Sequence, residues 1–209
     1  MEATPQSYPA QLAIDYPDHS LNRLTSFFRV FTIIPIGIIL CFLVGSDFHW
    51  GTAAWRMGFA SGAVLFFPVL LMVLFRQKYP RWWFNWNVEL TRFILRVASY
   101  FLLMSDKYPS TDEEQWVHVE ITYPDAKNGI NRWMPLVKWF LAIPHFICLA
   151  GLAIAAFVLE VIAWFAILFT GRFPRSFFDF VTGVLRWSLR VEAYAFLLTT
   201  DKYPPFNLE

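Results

Sequence analysis

Two ionisable side chains stand inside a long apolar stretch, where charged groups are uncommon. The stretch runs from residue 136 to 169 and contains His145 and Glu160. An ionisable group in such surroundings is expensive to bury, and a proton relay or a polar coupling site is the chemistry that this pair would serve. The alternative is a structural, neutral Glu160 that donates a hydrogen bond to a backbone carbonyl or to a partner subunit.

The sequence contains no arrangement typical of a catalytic or metal site. Its four histidines lack metal-ligand spacing, and its two cysteines form no short motif with them. No glycine-rich phosphate loop, nucleophile elbow or paired catalytic carboxylate is present. Haem ligation by His145 with a partner histidine stays open. We expect no catalytic residues, no metal and no cofactor, and therefore a protein that is not an enzyme.

Arginines form a second chemical pattern, because they recur at a fixed spacing in two parts of the chain. Arg92 and Arg96 lie four residues apart, and so do Arg186 and Arg190. On a helix this spacing places each pair on one polar stripe, with apolar side chains on the other faces. The pattern predicts binding of anionic lipid or of an acidic partner. Pairing with acidic residues of the same chain is the alternative.

Aromatic clusters precede both arginine pairs. Trp82 and Trp83 come before the first pair, and Phe177 and Phe178 come before the second. Aromatic side chains are enriched where a protein meets the boundary between lipid and water. We therefore expect these four residues to act as interfacial anchors at headgroup depth.

The arginine pairs belong to a longer duplication. The segment Ser105-Asp106-Lys107-Tyr108-Pro109 aligns with Thr200-Asp201-Lys202-Tyr203-Pro204, and upstream Arg29 aligns with Lys138. Self-similarity at a fixed offset is typical of an internal repeat. The duplication predicts two tandem copies of one unit, at 1–110 and 111–209.

The composition indicates that these units lie in a membrane. Hydrophobic residues make up 57% of the chain and charged residues 16%, whereas a soluble domain is about a quarter charged. Apolar runs predict four transmembrane helices, two in each repeat, with a tight turn near Gly151 between the last two. Their predicted bounds are 27–44, 57–75, 134–150 and 152–170.

The predicted fold is an all-α membrane protein in which two parallel-repeat hairpins are each followed by an interfacial amphipathic helix. These helices are expected at 82–104 and 176–199. Residues 116–123 alternate apolar with polar side chains, so they predict a strand and a small cytoplasmic β-ribbon. All lysines and arginines except Arg56 lie outside the connections between paired spans, which places both termini in the cytoplasm.

Several of these phrases resemble a known family. The hairpin with Lys138-Trp139 and Ile143-Pro144-His145, the phrase Val184-Leu185-Arg186-Trp187 and the ending at 200–206 are similar to a bacterial family of integral membrane proteins catalogued as a domain of unknown function. The likeness covers nearly the whole chain and is better in the second copy. It implies a bacterial inner-membrane protein and no catalytic residues.

These observations predict a non-catalytic accessory or scaffold subunit of a bacterial inner-membrane complex. Its expected partners are anionic membrane lipids and the helices of other membrane-protein subunits. The alternative is a small transporter or channel with a site on the repeat axis or at His145 and Glu160. A net charge of +1 excludes bulk electrostatic attraction to nucleic acid.

Overall fold

The computed structural model describes residues 8–44, 66–111, 113–127 and 129–209. Within these residues the chain forms two strands and eight helices, and a short 3₁₀ turn, Met134–Leu136, precedes the sixth helix. In chain order the elements are β1 Ala10–Ile14, α1 Arg23–Phe27, α2 Arg29–Thr32, α3 Ile34–Val44, α4 Phe66–Arg76, α5 Arg81–Phe101, β2 Val117–Ile121, α6 Lys138–Leu141, α7 Ile143–Thr170 and α8 Arg175–Ala195.

The two strands pair with each other as an antiparallel ribbon. Leu12 lies opposite Val119, and Ala13 lies opposite His118. Leu12 and Val119 are buried, whereas Glu120 is exposed, as the alternation of apolar and polar residues requires of a half-buried strand. The predicted ribbon between the two parts of the chain is therefore present, and its cytoplasmic location stays a prediction.

The two amphipathic helices form a middle layer beneath the ribbon. Helix α5 packs on β2, and α8 packs on β1. Both helices end earlier than the predicted 104 and 199, because Leu103 and Leu198 adopt left-handed backbone angles with φ of 56° and 54°. Such a residue closes a helix by turning the following N–H groups back to its last carbonyls, as Met104 N does to Ser99 O.

An outer layer of apolar helices covers the other side of α5 and α8. Helix α3 packs on α5, and α7 packs on α8. The N-terminal part of α7 shares a cluster with the C-terminal part of α8, and the C-terminal part of α7 with the N-terminal part of α8. The first cluster contains Ala142, Leu149, Leu152, Trp187, Val191 and Tyr194, and the second contains Ala163, Ile167, Phe178 and Val181. Helix α7 therefore lies antiparallel along the length of α8.

The outward side of the outer layer is apolar and exposed. Only 6% of the most apolar window of α7 is buried. Ile147, Ile154 and Phe157 are each 69% exposed, and Phe42 of α3 is 83% exposed. Soluble monomers rarely expose a continuous apolar surface of this kind. Such a face is typical of a surface that contacts lipid or another protein.

The prediction of four transmembrane helices is wrong. Within the described residues only α7 is long and apolar enough to cross a membrane. The predicted span at 27–44 is divided among α1, α2 and α3. Of the predicted span at 57–75, residues 57–65 lie outside the described residues, and the rest belongs to α4, whose end is π-helical.

The predicted hairpin at 134–150 and 152–170 is also absent. Helix α7 continues without a break through Gly151, and the helical chain is interrupted instead at Ala142, just before Pro144. Proline lacks the N–H that a helix interior needs, so Pro144 favours a helix start there. Between Pro144 and Gly171 the sequence contains no further proline and no cluster of turn-forming residues, so the helix continues.

A glycine-to-alanine exchange tests the continuity of α7. Gly151 has open space around it in mid-helix, so Gly151→Ala should raise the free energy of unfolding by about 0.5–1 kcal/mol. Gly171 closes the helix with φ of 74°, so the control Gly171→Ala should lower it by about 1–2 kcal/mol. Denaturant unfolding in mild detergent measures both. A tight turn at Gly151 would make both exchanges destabilising.

The ribbon carries a pH-dependent cross-strand pair. His118 Nε2 lies 3.0 Å from Asp15 Oδ2, and this hydrogen bond, with the nearby charges of Asp15 and Glu114, raises the pKa of His118. Its stabilisation is therefore full below the ordinary histidine pKa and is lost as pH rises through the raised value. We expect wild type to lose more stability than His118→Gln between pH 6 and pH 9, by up to about 1 kcal/mol. Equal losses in thermal unfolding would contradict this assignment.

Candidate functional site

Two buried ion pairs mark where the outer layer meets the ends of the middle-layer helices. Arg29 Nη2 lies 2.9 Å from Asp106, and Lys138 Nζ lies 2.7 Å from Asp201. Each cation also lies over a tyrosine ring, that of Tyr100 or Tyr194. Burial lowers the pKa of Lys138, and Asp201 opposes this shift. Each buried cation is therefore compensated by a carboxylate that is itself only partly exposed.

The same carboxylates fix the start of each apolar segment. Asp106 accepts a hydrogen bond from the backbone N–H of Asn22 at 2.5 Å, and Asp201 accepts one from Asn131 at 2.6 Å. Asn22 in turn caps α1, because its side chain accepts from Leu24 N at 3.0 Å. One aspartate thus binds both the cation and the backbone just upstream of it. The contacts of the two sets match residue by residue.

An apolar cavity of about 420 Å³, open on the exposed side of the outer layer, lies beside the first ion pair, between α1, α7 and the end of α5. We call it the Glu160 cavity. Ser26, Arg29 and Glu160 are the polar residues on its wall. Atoms of all three are buried without a hydrogen-bond partner in the described part of the chain: Ser26 Oγ, Arg29 Nε and Nη1, and both carboxyl oxygens of Glu160. Buried polar groups normally have partners, so three such residues on the wall of one cavity are unusual.

The position aligned with Glu160 holds an aromatic residue. Phe66 lies edge-on to Phe196, with ring centroids 6.3 Å apart, and Phe196 is aligned with Phe101 of the Glu160 cavity. Near the second ion pair an aromatic contact thus stands where the first has a carboxyl group beside a cavity. The difference between Glu160 and Phe66, noted from the sequence, therefore coincides with a difference in packing.

His145 lies in a separate, filled site. It is fully buried, its Nδ1 accepts a hydrogen bond from Trp187 Nε1 at 3.1 Å, and its ring stacks on Phe206 at 3.9 Å between centroids. Fifteen residues of continuous α7 separate it from Glu160, about 22 Å along the axis. The two residues do not meet, and the idea that they form one site depended on the hairpin that is absent.

The four predicted lipid-binding arginines point to other parts of the same chain. Arg92 donates from Nε and Nη2 to the carbonyl of Val119, and Arg186 donates from Nε to that of Leu12, so each holds a strand of the ribbon. Arg96 donates to the Ser110 carbonyl, and Arg190 donates to Asn207 and to the backbone of Glu209. Lipid contact by these arginines stays a prediction.

The predicted interfacial anchors divide into two groups. Trp82 is 67% exposed, and Trp83 packs edge-on against it. Phe178 instead lies in the core, edge-on to both Tyr16 and Phe173, and Phe177 is half-buried. Phe178 therefore offers no surface to a membrane, because the burial of α8 beneath β1 encloses it.

Sequence reasoning missed Ser26, Arg29, Asp106, Lys138 and Asp201 as site residues. A signal existed, because both cations and both aspartates are aligned in the duplicated segments. Spacing alone did not join Arg29 to Asp106, since 77 positions separate them in the chain. Among the described residues no group of three His, Cys, Asp or Glu is arranged as metal ligands would be.

Comparison with known proteins adds one match. Residues 132–207 match a family model described as a domain of unknown function, DUF4389. The matched segment contains Lys138, His145, Glu160 and Asp201, and the predicted resemblance to a domain of unknown function is confirmed for it. No curated protein and no solved structure matches the chain.

Removal of one carboxylate tests the second ion pair. Asp201→Asn leaves the fully buried Lys138 charge uncompensated and should lower the free energy of unfolding by about 3–5 kcal/mol. Asp179→Asn is the control, because its pair with Arg175 is exposed and should contribute less than about 1 kcal/mol. Denaturant unfolding compares the two variants. Losses of equal size would show that Lys138 does not depend on Asp201.

Proposed function

We propose that this chain is a non-catalytic accessory or scaffold subunit of a bacterial inner-membrane complex. The outer layer lies in the membrane surface, and the ribbon with the middle layer faces water and binds partner subunits. The exposed apolar side of α7 is the observation that carries the proposal, because exposure of such a face to water is unfavourable.

The packing of α7 favours a helix that lies in the plane of the membrane. Both halves of α7 rest on α8, and α8 carries Arg186 and Arg190, whose side chains bind the ribbon and the C-terminal tail. A membrane-crossing α7 would carry these arginines through the hydrocarbon core, which is unfavourable. An in-plane α7 leaves them on the water side.

Basic residues at both ends of the outer layer support attachment to an anionic leaflet. At one end Arg23 lies beside Gly171 and therefore close to Arg172. At the other end Arg132 donates to the Leu74 carbonyl, close to Arg76. These four arginines are exposed. Basic residues near an anionic surface contribute about 1 kcal/mol each. We assign this surface to the cytoplasmic leaflet, with both termini in the cytoplasm.

The matched contacts also support tandem copies of one unit. Arg92 binds a carbonyl of β2 as Arg186 binds one of β1, and Tyr123 donates to the Tyr79 carbonyl as Tyr16 donates to that of Phe173. In each case one copy holds a segment of the other. This exchange explains why two copies are joined in one chain, since neither would complete its layers alone.

A scaffold role fits the chemistry better than transport. Transport at a site formed by His145 and Glu160 would require the two residues to meet, and α7 separates them. On the water side Glu89, Glu114 and Glu120 line a groove of about 450 Å³ together with Arg92 and Arg96. Such a polar groove supports docking of a partner with exposed charge.

Depth labelling tests the in-plane position of α7. Ile147, Val158 and Phe169 are exposed, and they lie on one face of α7 because eleven residues make about three turns. Single cysteines at these positions, each with a fluorophore and in a background lacking Cys41 and Cys148, should be quenched equally by spin-labelled lipids at one shallow depth. Glu120→Cys on the ribbon is the control and should escape lipid quenching.

Shallow positions at 147 and 169 together with maximal quenching at 158 by the deepest spin label would show that α7 crosses the membrane. Lack of quenching at all three positions would show that another protein, and not lipid, covers the outer layer. Purification in mild detergent with mass spectrometry of bound proteins tests the scaffold role. A chain that never retains another subunit, although it binds vesicles, would contradict that role.

A further inference from the structure

The Glu160 cavity combines apolar walls with buried polar atoms that lack partners. Phe157, Val161 and Trp164 of α7 form one side, and Phe101 and Leu102 at the end of α5 form another. The volume of about 420 Å³ is within the range of small-molecule sites, about 300–1,000 Å³. We propose that this cavity binds an uncharged amphiphile through a hydroxyl head group, with its apolar tail along α7.

The unpartnered polar atoms define which hydrogen bonds the head group must make. Arg29 is 3% exposed and offers donors at Nε and Nη1, whereas the oxygens of Glu160 offer acceptors. Ser26 is 1% exposed, and its hydroxyl group can serve as either donor or acceptor. A ligand that satisfies this set must accept from Arg29 and exchange a hydrogen bond with Glu160. A hydroxyl group does both, whether Glu160 is ionised or neutral.

Charge makes a neutral head group the better match. The Arg29 guanidinium already pairs with Asp106 through Nη2, so one anion compensates it before any ligand binds. A carboxylate or phosphate head would bring a further negative charge close to Glu160 and Asp106. An alkane would leave Arg29 Nε and Nη1, Ser26 Oγ and the oxygens of Glu160 without partners, and these atoms would retain their desolvation penalty. A polar, uncharged head avoids both the charge repulsion and this desolvation penalty.

The aligned part of the chain provides an internal comparison. Lys138 and Asp201 form the equivalent ion pair, but Phe66 occupies the position of Glu160 and contacts Phe196. Lys138 already has the Thr200 carbonyl as a second acceptor at 2.7 Å. The second pair therefore has no need of a bound hydroxyl group. The proposal goes beyond the scaffold function and does not depend on it, since detergent-solubilised protein suffices for binding.

Photoaffinity labelling tests the proposal on the full-length chain. The probe is a dodecanol analogue with a diazirine in its chain, and cross-linked residues are mapped by mass spectrometry. We expect labels on residues 157–165 of α7 and on 101–103. Unlabelled dodecanol should compete at least about tenfold better than dodecane or dodecanoate, as expected when buried hydrogen bonds decide binding. Competition by monododecanoylglycerol would extend the class to glycerides, and its failure would restrict the class to free alcohols.

Three results would overturn the proposal. Equal competition by dodecane would show that no polar group is recognised, stronger competition by dodecanoate would show an anion site on Arg29, and labels elsewhere would show that the cavity is not the site.

Glu160→Gln keeps hydrogen bonding and should retain affinity within about threefold, whereas Glu160→Phe should lower it at least about tenfold. Equal labelling of a folded Glu160→Phe variant would also contradict the proposal. The competition series needs only wild type, so a misfolded variant does not prevent a decision.

These outcomes are distinguishable from those of the proposed function. Depth labelling reports how α7 meets lipid, and photoaffinity competition in detergent reports the head group that the cavity selects. Loss of dodecanol selectivity with unchanged depths would contradict the ligand-site proposal alone. Altered depths with intact selectivity would contradict the in-plane position of α7 alone.

Discussion

The architecture depends on two buried ion pairs that fix both ends of the outer layer to the middle layer. Arg29 with Asp106 and Lys138 with Asp201 join the start of each apolar segment to the turn that follows an amphipathic helix. A buried charge must remain paired, so these ends cannot separate without a large loss of free energy. The start of α7 is held near Asp201, just beyond the end of α8, and only residues 171–174 separate the end of α7 from the start of α8. Helix α7 must therefore lie along α8.

Because α7 is held along α8, the apolar composition of the chain corresponds to an exposed outer face and not to a helical hairpin. Long apolar helices usually cross a membrane, and a hairpin is the expected solution for a 34-residue apolar run (residues 136–169). Here one side of the run packs on α8 and the other side is exposed, so a single layer of helices presents a broad apolar face. The same residues thus support a membrane surface position without four spans. The arginines of both stripes bind other parts of the same chain: Arg92 and Arg186 bind strand carbonyls, and Arg96 and Arg190 bind the segments that follow the two helices.

The functional hypothesis also changes with this arrangement. Sequence reasoning joined His145 to Glu160, whereas the structure joins Glu160 to the cavity beside Arg29 and His145 to Trp187. His145 is packed among aromatic rings and only its Nε2 lacks a hydrogen-bond partner in the described part of the chain, whereas both carboxyl oxygens of Glu160 lack one. The asymmetry between Glu160 and Phe66 coincides with a difference in packing, and the cation that shares the cavity with Glu160 is Arg29, from the other half of the chain.

The sequence by itself determined the strand alternation at 116–123, the two amphipathic helices and the duplication of cations and aspartates, because each is a local pattern or a direct comparison of residues. It did not determine that α7 runs through Gly151, since a glycine in an apolar run is compatible with both helix and turn. Only the tertiary structure decided that Arg92 and Arg186 bind strand carbonyls and that Arg29 lies near Glu160. Those contacts join residues far apart in the chain, and their geometry arises from the packing of three layers rather than from any local preference.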